Sequence, residues 1–417
     1  MAAEDATKIP PSPMKLLFVT PYLPSPPRFG GQRRLHGLMR AMGASHEVSV
    51  LSLGNPDGQV ASSVRATREY CRGTVEVAGA LRCAAGGKKR ALQLATMVSP
   101  WSYEHVAYQA GALQRALDET LSREPFDVVQ FEFAQMAGYR TSSARNRPVL
   151  VLDEHNIEFD VVRRTADADV GALRRVYSAV NWRKLRREER AAWRRFDGCV
   201  VTSARDREVL GADQPGVRSC VVPNGVDVDE FVPDSSQPAA ADTVLFFGAI
   251  NYHPNTDGVL FFLREVWPIL KAKRPGVRFQ VVGPNPPPII AQWPDPAVVV
   301  TGYVDDVRVP LGAATVVVAP LRIGGGTRLK VVEAMGLGKA LVSTTLGAEG
   351  IDVTHDRDVL IADTPADFAQ QVLRVLEDGG LARRLGTEAR RLAVSRYSWR
   401  AASERLLEFY RELGAPG

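Results

Sequence analysis

The sequence predicts an α/β protein of two Rossmann-like, doubly wound lobes with a cleft between them. Three observations carry this. Short apolar runs alternate with helix-like stretches, as expected of strands buried on both faces of a parallel sheet. The alternation stops at a Ser-, Pro- and Ala-rich stretch, Asp234–Asp242, and then restarts. A chain of 417 residues makes two or three domains at about 150 residues each.

Residues 1–13 are acidic and Pro-rich and read as a disordered tail. Lys15–Thr20 is the first strand, ended by Pro21. Val48–Leu53, Asp127–Phe131, Val149–Leu152 and Gly198–Thr202 follow, with helical patterns such as Gln32–Met42 and Ala110–Leu121 between them. Ala172–Phe196 is a long, Arg-rich amphipathic pattern, readable as a solvated helix or as one that docks on a membrane or partner. Pro223-Asn-Gly-Val-Asp227 contains an Asn-Gly turn and leads to the linker. Beyond it come Val244–Gly248, a helix around Asp257–Lys273, Phe279–Gly283, Val298–Thr301, Thr315–Ala319 and Ala340–Thr344. Tyr397-Ser-Trp399 precedes a final amphipathic helix within Glu388–Leu413. The expected division is an N-terminal lobe over 14–235, a C-terminal lobe over 236–395, and a closing helix over 396–417.

Composition excludes several classes. Hydrophobic residues at 45% and charged residues at 24% rule out disorder or a collagen-like repeat for most of the chain. No apolar run approaches the roughly 18 residues of a spanning helix, and the N-terminus has no secretory core. A cytoplasmic protein is expected. The four cysteines form no CxxC pair, so neither a metal cluster nor a disulfide framework is expected. The net charge of +5 fits an anionic ligand, nucleic acid or an acidic membrane surface.

Three clusters bear chemistry. Pro320-Leu-Arg-Ile-Gly-Gly-Gly-Thr-Arg-Leu-Lys-Val-Val-Glu-Ala-Met335 follows a strand and opens a helix. Gly324, Gly325 and Gly326 let backbone pass close to a ligand, and Thr327 reads as the N-cap of a helix Arg328–Leu337. Free N–H groups and the positive helix end make an anion site, to which Arg328 and Lys330 add formal charge. Lys330 and Glu333 are three apart and face one side, so a cation beside a phosphate and a carboxylate on a ribose diol suit a nucleotide. An ATP-type P-loop at Gly338-Lys339 fails, because Glu333 and Ala340 stand where Gly and Ser/Thr belong. The second cluster is Phe29-Gly30-Gly31-Gln32-Arg33, again glycine at a helix start and a candidate phosphate contact. The third is His155 in Asp153-Glu-His-Asn156, at a strand's carboxyl end facing the cleft.

Pro223–Asp227, Gly324–Met335, Gly302-Tyr-Val304 and Tyr397-Ser-Trp399, in that order and spacing, resemble the retaining glycosyltransferases of family four, over essentially residues 14–413. The resemblance implies the GT-B fold, with the last helix crossing back onto the N-terminal lobe. It implies a nucleoside-diphosphate sugar held by the C-terminal lobe: Glu333 on the ribose, Tyr303 and Val304 on the base through backbone, and Arg328 and Lys330 on the diphosphate. Gly30 and Gly31 would touch the diphosphate from the opposite lobe, and His155 the donor sugar. Two departures stand out. Gly325 replaces the first of two glutamates usually seven residues apart, so the amides of Gly325 and Gly326 are expected in its place. Gly248-Ala-Ile-Asn-Tyr-His-Pro254 replaces the usual Arg and Lys after the first strand of the second lobe, which makes Arg328 and Lys330 the expected cations; the chain resembles a subgroup of sugar transferases with this GGGTRLK loop.

The implied reaction passes a sugar to a hydroxyl acceptor by front-face attack, with no cofactor, metal or protein nucleophile. The acceptor stays open among a glycan, a lipid-linked acceptor and a small aglycone, with peripheral membrane contact as one partner and nucleic acid not expected. An epimerase, a phosphorylase and a non-catalytic sugar-nucleotide binder are the rival readings.

Overall fold

A computed structural model describes residues 12–54, 59–81, 86–142, 144–168, 172–233, 242–324 and 327–416. The first lobe is a seven-stranded parallel sheet in the order β3-β2-β1-β4-β5-β6-β7. Its strands are β1 (Lys15–Thr20), β2 (Glu47–Gly54), β3 (Val75–Ala80), β4 (Val128–Glu132), β5 (Val149–Glu154), β6 (Gly198–Val201) and β7 (Ser219–Val221). The second lobe is six-stranded, in the order β10-β9-β8-β11-β12-β13. It comprises β8 (Thr243–Phe247), β9 (Arg278–Val282), β10 (Val298–Gly302), β11 (Val316–Ala319), β12 (Leu341–Ser343) and β13 (Leu360–Ile361). The order of strands switches beside the first strand of each sheet, between β1 and β4 and between β8 and β11. Ligands of such sheets bind outside the carboxyl ends at that switch point.

The apolar runs become strands because both faces of each sheet are covered. Leu17, Val19 and Phe131 point into one layer of the first lobe, and Leu16, Phe18 and Val128 into the other. Strand β5 runs two residues beyond its expected end, which carries Asp153 and Glu154 into full burial. The helix expected at Asp257–Lys273 begins at His253, where Pro254 suits the first turn, and carries a π-helical segment at Phe262–Val266. Strands β3, β7 and β13 were not expected from pattern. The first is half-exposed, and the other two have only three and two residues.

The final helix, Trp399–Glu412, packs on the first lobe: Ala402, Leu406, Phe409 and Tyr410 complete the layer begun by Leu16 and Phe18. The chain crosses between lobes twice, side by side. Val226 N–H donates to the Tyr397 carbonyl at 2.7 Å, and Trp399 N–H returns to the Val226 carbonyl at 3.3 Å. Gly37, in the helix Gly30–Gly43, lies so close to Trp399 that a Cβ there would overlap the indole. Gly37→Ala is therefore expected to cost about 1–3 kcal/mol through overpacking, read as a lowered urea midpoint. Wild-type stability would show that the crossing helix gives way instead. Residues 1–11 of the tail and 234–241 of the linker lie outside the described residues, as do Gly325 and Gly326. No described helix is long and apolar enough to cross a membrane.

Candidate active site

The carboxyl ends of β1, β4, β5 and β6 face those of β8 and β11 across the cleft, and residues remote in sequence meet there. The donor-side helix begins at Leu329, one residue later than expected, with Arg328 as its cap residue. Thr327 is not the capping side chain. Its hydroxyl instead donates at 2.6 Å to the carbonyl of Thr202, at the end of β6, because a buried hydroxyl needs a partner and this carbonyl is in reach. Asn224, in the Asn-Gly turn, donates at 3.0 Å to the Thr327 carbonyl. Thr327 thus ties the donor loop to the opposite lobe.

Lys330 points toward the end of β8. Its Nζ donates to Asn255 Oδ1 at 2.6 Å and lies 3.8 Å from the centre of the Phe246 ring. Gly248 makes room for it: a Cβ there would stand 3.2 Å from Nζ, and its φ of +137° already favours glycine. The missing Arg and Lys after β8 are therefore answered by space through which Lys330 enters. Burial, and then the neighbouring charge of Arg328, push the Lys330 ammonium well below its usual range, partly offset by Glu333. Arg328 is also largely buried, which lowers its pKa, and lies 4.0 Å from Glu349. Two desolvated basic side chains thus stand at one helix entry, each with a carboxylate in reach.

Glu333 is buried and ion-paired with Arg33 of the opposite lobe, a residue quoted in the second cluster but given no role there. Burial raises the Glu333 pKa, and Arg33 and Lys330 oppose the rise. Gly30 and Gly31 open the helix Gly30–Gly43 as expected. A Cβ on Gly30 would meet Leu329 at 3.3 Å, so the two helix entries abut across the cleft. Arg164 donates at 3.0 Å to the Gly324 carbonyl. Tyr303 follows edge strand β10 and is exposed, while Val304 packs against the second lobe's core.

His155 lies at the end of β5, buried, with Nε2 2.8 Å from Glu132 Oε2 and its ring stacked on Phe133 at 3.6 Å. Burial lowers the imidazole to about 3 and raises Glu132 to about 7, so the imidazole is neutral at neutral pH and suits positioning rather than acid catalysis. Behind it, Gln130 donates to Glu132 at 2.8 Å, and Tyr410 of the crossing helix donates to Gln130 at 2.6 Å. Glu132, Asp153 and His155 each bring a ligand atom within 4.8 Å of the others. Arg34 already occupies both oxygens of Asp153, so that cluster carries its own cation.

Comparison with known proteins follows this division into lobes. Residues 30–230 match the family described as Glycosyltransferase Family 4, and residues 241–378 the family described as Glycosyl transferases group 1. Sucrose-phosphate synthase from Thermosynechococcus elongatus has a similar structure, with a TM-score of 0.70 and 16% identity over 97% of this chain and 100% of that one. HepE of Anabaena, solved in complex with UDP and glucose, has a TM-score of 0.66 and 15% identity over 95% and 98%. An uncharacterized 44.6 kDa protein in the cps region of Klebsiella pneumoniae is 22% identical over 139 residues, 31% of this chain and 36% of that protein. The match thus spans about a third of that relative.

Proposed function

We propose that this chain, two glycosyltransferase domains joined in the GT-B fold, moves a sugar from a nucleoside-diphosphate sugar to a hydroxyl acceptor with retention at the anomeric carbon. The observation that carries the reading is the pair Arg328 and Lys330, desolvated together at a helix entry that faces the glycine entry of the other lobe. As the anomeric bond breaks, negative charge grows on the departing diphosphate. Fixed cations and oriented amides answer that charge without reorganising, so the chemistry needs no metal or cofactor. In the front-face course proposed here, the acceptor oxygen bonds to the anomeric carbon on the side the diphosphate leaves, and a phosphate oxygen takes the hydroxyl proton.

Gly30 and Gly31 would meet the diphosphate from the first lobe, with Gly324 and Thr327 lining the sugar end beside Gly325 and Gly326. His155, as neutral imidazole, would position the donor sugar. Tyr303 and Val304 would take the base, and Glu333 the ribose once its carboxylate shares or releases Arg33. UDP is the first nucleotide to test, since HepE binds it. The patch of exposed Leu94, Val98 and Trp101 near Lys88, Lys89 and Arg90 supports peripheral contact with the inner face of the cell membrane, on the cytoplasmic side.

Glu333→Ala is expected to weaken nucleotide binding at least tenfold by calorimetry, because a ribose diol loses its acceptor. Equal affinity would remove Glu333 from the ribose. Slow release of free sugar from a nucleotide sugar without acceptor, abolished with Lys330→Ala, would separate a transferase from a non-catalytic binder.

A further inference from the structure

Beside His155 the first lobe carries a row of three rings, Phe133, Tyr22 and Phe29, that the donor reading does not use. His155 stacks on Phe133; Phe133 meets Tyr22 edge to face at 5.7 Å, and Tyr22 meets Phe29 at 4.9 Å. Phe29 is 47% exposed and sits at the entry of the glycine helix, where a Cβ on Gly31 would strike the Tyr22 hydroxyl and meet Phe133 at 3.0 Å. Phe133 holds φ +72° and ψ 145°, a conformation a bulky side chain avoids. Residues kept in such wells by their surroundings cluster at ligand sites.

Polar groups stand beside the rings. Glu158 is half-buried, and its backbone N–H is fixed by Glu189 at 2.8 Å. It opens the helix that follows the carboxyl end of β5, and its charge acts on Tyr22 in the first lobe and Tyr252 in the second. The Gln135 amide bonds to it, while Gln135 Oε1 is buried without a hydrogen-bond partner among the described residues. An unused acceptor and a half-buried carboxyl beside the exposed Phe29 ring and the half-buried Tyr22 and Phe133 rings ask for a ligand that is flat and apolar on one side and rich in hydroxyls at its edge. A pyranose ring has that form. A wholly apolar alcohol would leave the carboxyl and the amide oxygen unanswered.

We propose that Phe133, Tyr22 and Phe29, with Glu158 and Gln135, form the acceptor subsite, and that it takes the sugar ring of a glycan. The accepting hydroxyl then belongs to a carbohydrate rather than to a lipid alcohol or an apolar aglycone. This rests on the transferase reading above. The rings belong to the lobe opposite Lys330, and Phe133 packs on His155, so the accepting sugar would lie beside the donor sugar.

The test uses the full chain and saturation-transfer NMR with methyl glucosides, galactosides and mannosides, in both anomers and with UDP present. Cyclohexanol is the apolar control. At least one glycoside is expected to take up saturation at its ring protons, with cyclohexanol silent. Phe133→Gly fits the backbone at that position, and Phe29→Ala changes an exposed ring. Both are expected to raise the glycoside Kd at least tenfold, as is Glu158→Gln, with the calorimetric Kd for UDP within twofold. Glycoside binding that survives all three substitutions, or cyclohexanol binding as well as the sugars, overturns the subsite. So does a wild type that binds UDP but no glycoside. Glycoside binding without any nucleotide binding would keep the subsite and sink the transferase reading instead.

Discussion

Lys330→Ala is expected to lower kcat by roughly 10²–10³-fold, the usual cost of one charge-stabilising donor in a closed site. Nζ is held by Asn255 and the Phe246 ring face, so the ammonium waits in position before the donor arrives. Its desolvation makes the effect large. A cation stripped of water interacts with a developing phosphate charge more strongly than one at the surface. The loss should fall on turnover more than on donor affinity, because the charge is greatest as the bond breaks. Asn255 keeps its own bond to the Ala249 carbonyl, at 2.7 Å, so the substitution leaves that side chain anchored. Steady-state transfer, alongside a thermal melt to confirm folding, reads the result. Unchanged kcat in a folded variant would end the leaving-group role.

Asp153→Ala is expected to destabilise the chain by about 3–5 kcal/mol, the cost of stranding one member of a buried ion pair. Arg34 donates through Nε and Nη2 to Asp153 at 2.9–3.1 Å, and through Nη1 to the Val222 carbonyl at 2.9 Å and to Asn224 Oδ1 at 3.2 Å. Both side chains are shut off from water, at 1% and 0% exposure. With Asp153 gone, the guanidinium keeps two neutral acceptors and loses its counter-charge. The double variant Arg34→Leu, Asp153→Leu should cost much less than the single one, since neither charge is then buried alone. Urea titrations of the three proteins give the answer, and a single variant within 1 kcal/mol of wild type would contradict the burial. The pair also joins the first helix to the Asn-Gly turn, and through Asn224 to the Thr327 carbonyl. Lost activity is therefore expected before lost folding as urea rises.

The elements most visible in the sequence are those whose surroundings are alike along their length. Lys15–Thr20 was readable to the residue because both sheet faces are apolar there. Edge strand Val75–Ala80 was not, since half-burial blurs the pattern. The glycine entries at Gly30 and Gly324, and the basic loop after β11, were legible because backbone constraints are local. Thr327 shows the limit: capping is a local preference, and an acceptor from the other lobe overrode it. Phe133 shows it again, as its left-handed backbone conformation follows no glycine or turn signal in Glu132-Phe-Ala134.

The chain's own pattern determined that there are two parallel sheets, where their central strands run, and which glycines and cations follow those strands. Folding alone decided the pairings. Arg33 found Glu333 three hundred positions away, Arg34 found Asp153, His155 found Glu132, and Lys330 entered the space over Gly248. The reason is range. Apolar periodicity is written along a segment, whereas a hydrogen bond exists only within about 3 Å of its partner. The order of strands in the sheets sets who that partner is.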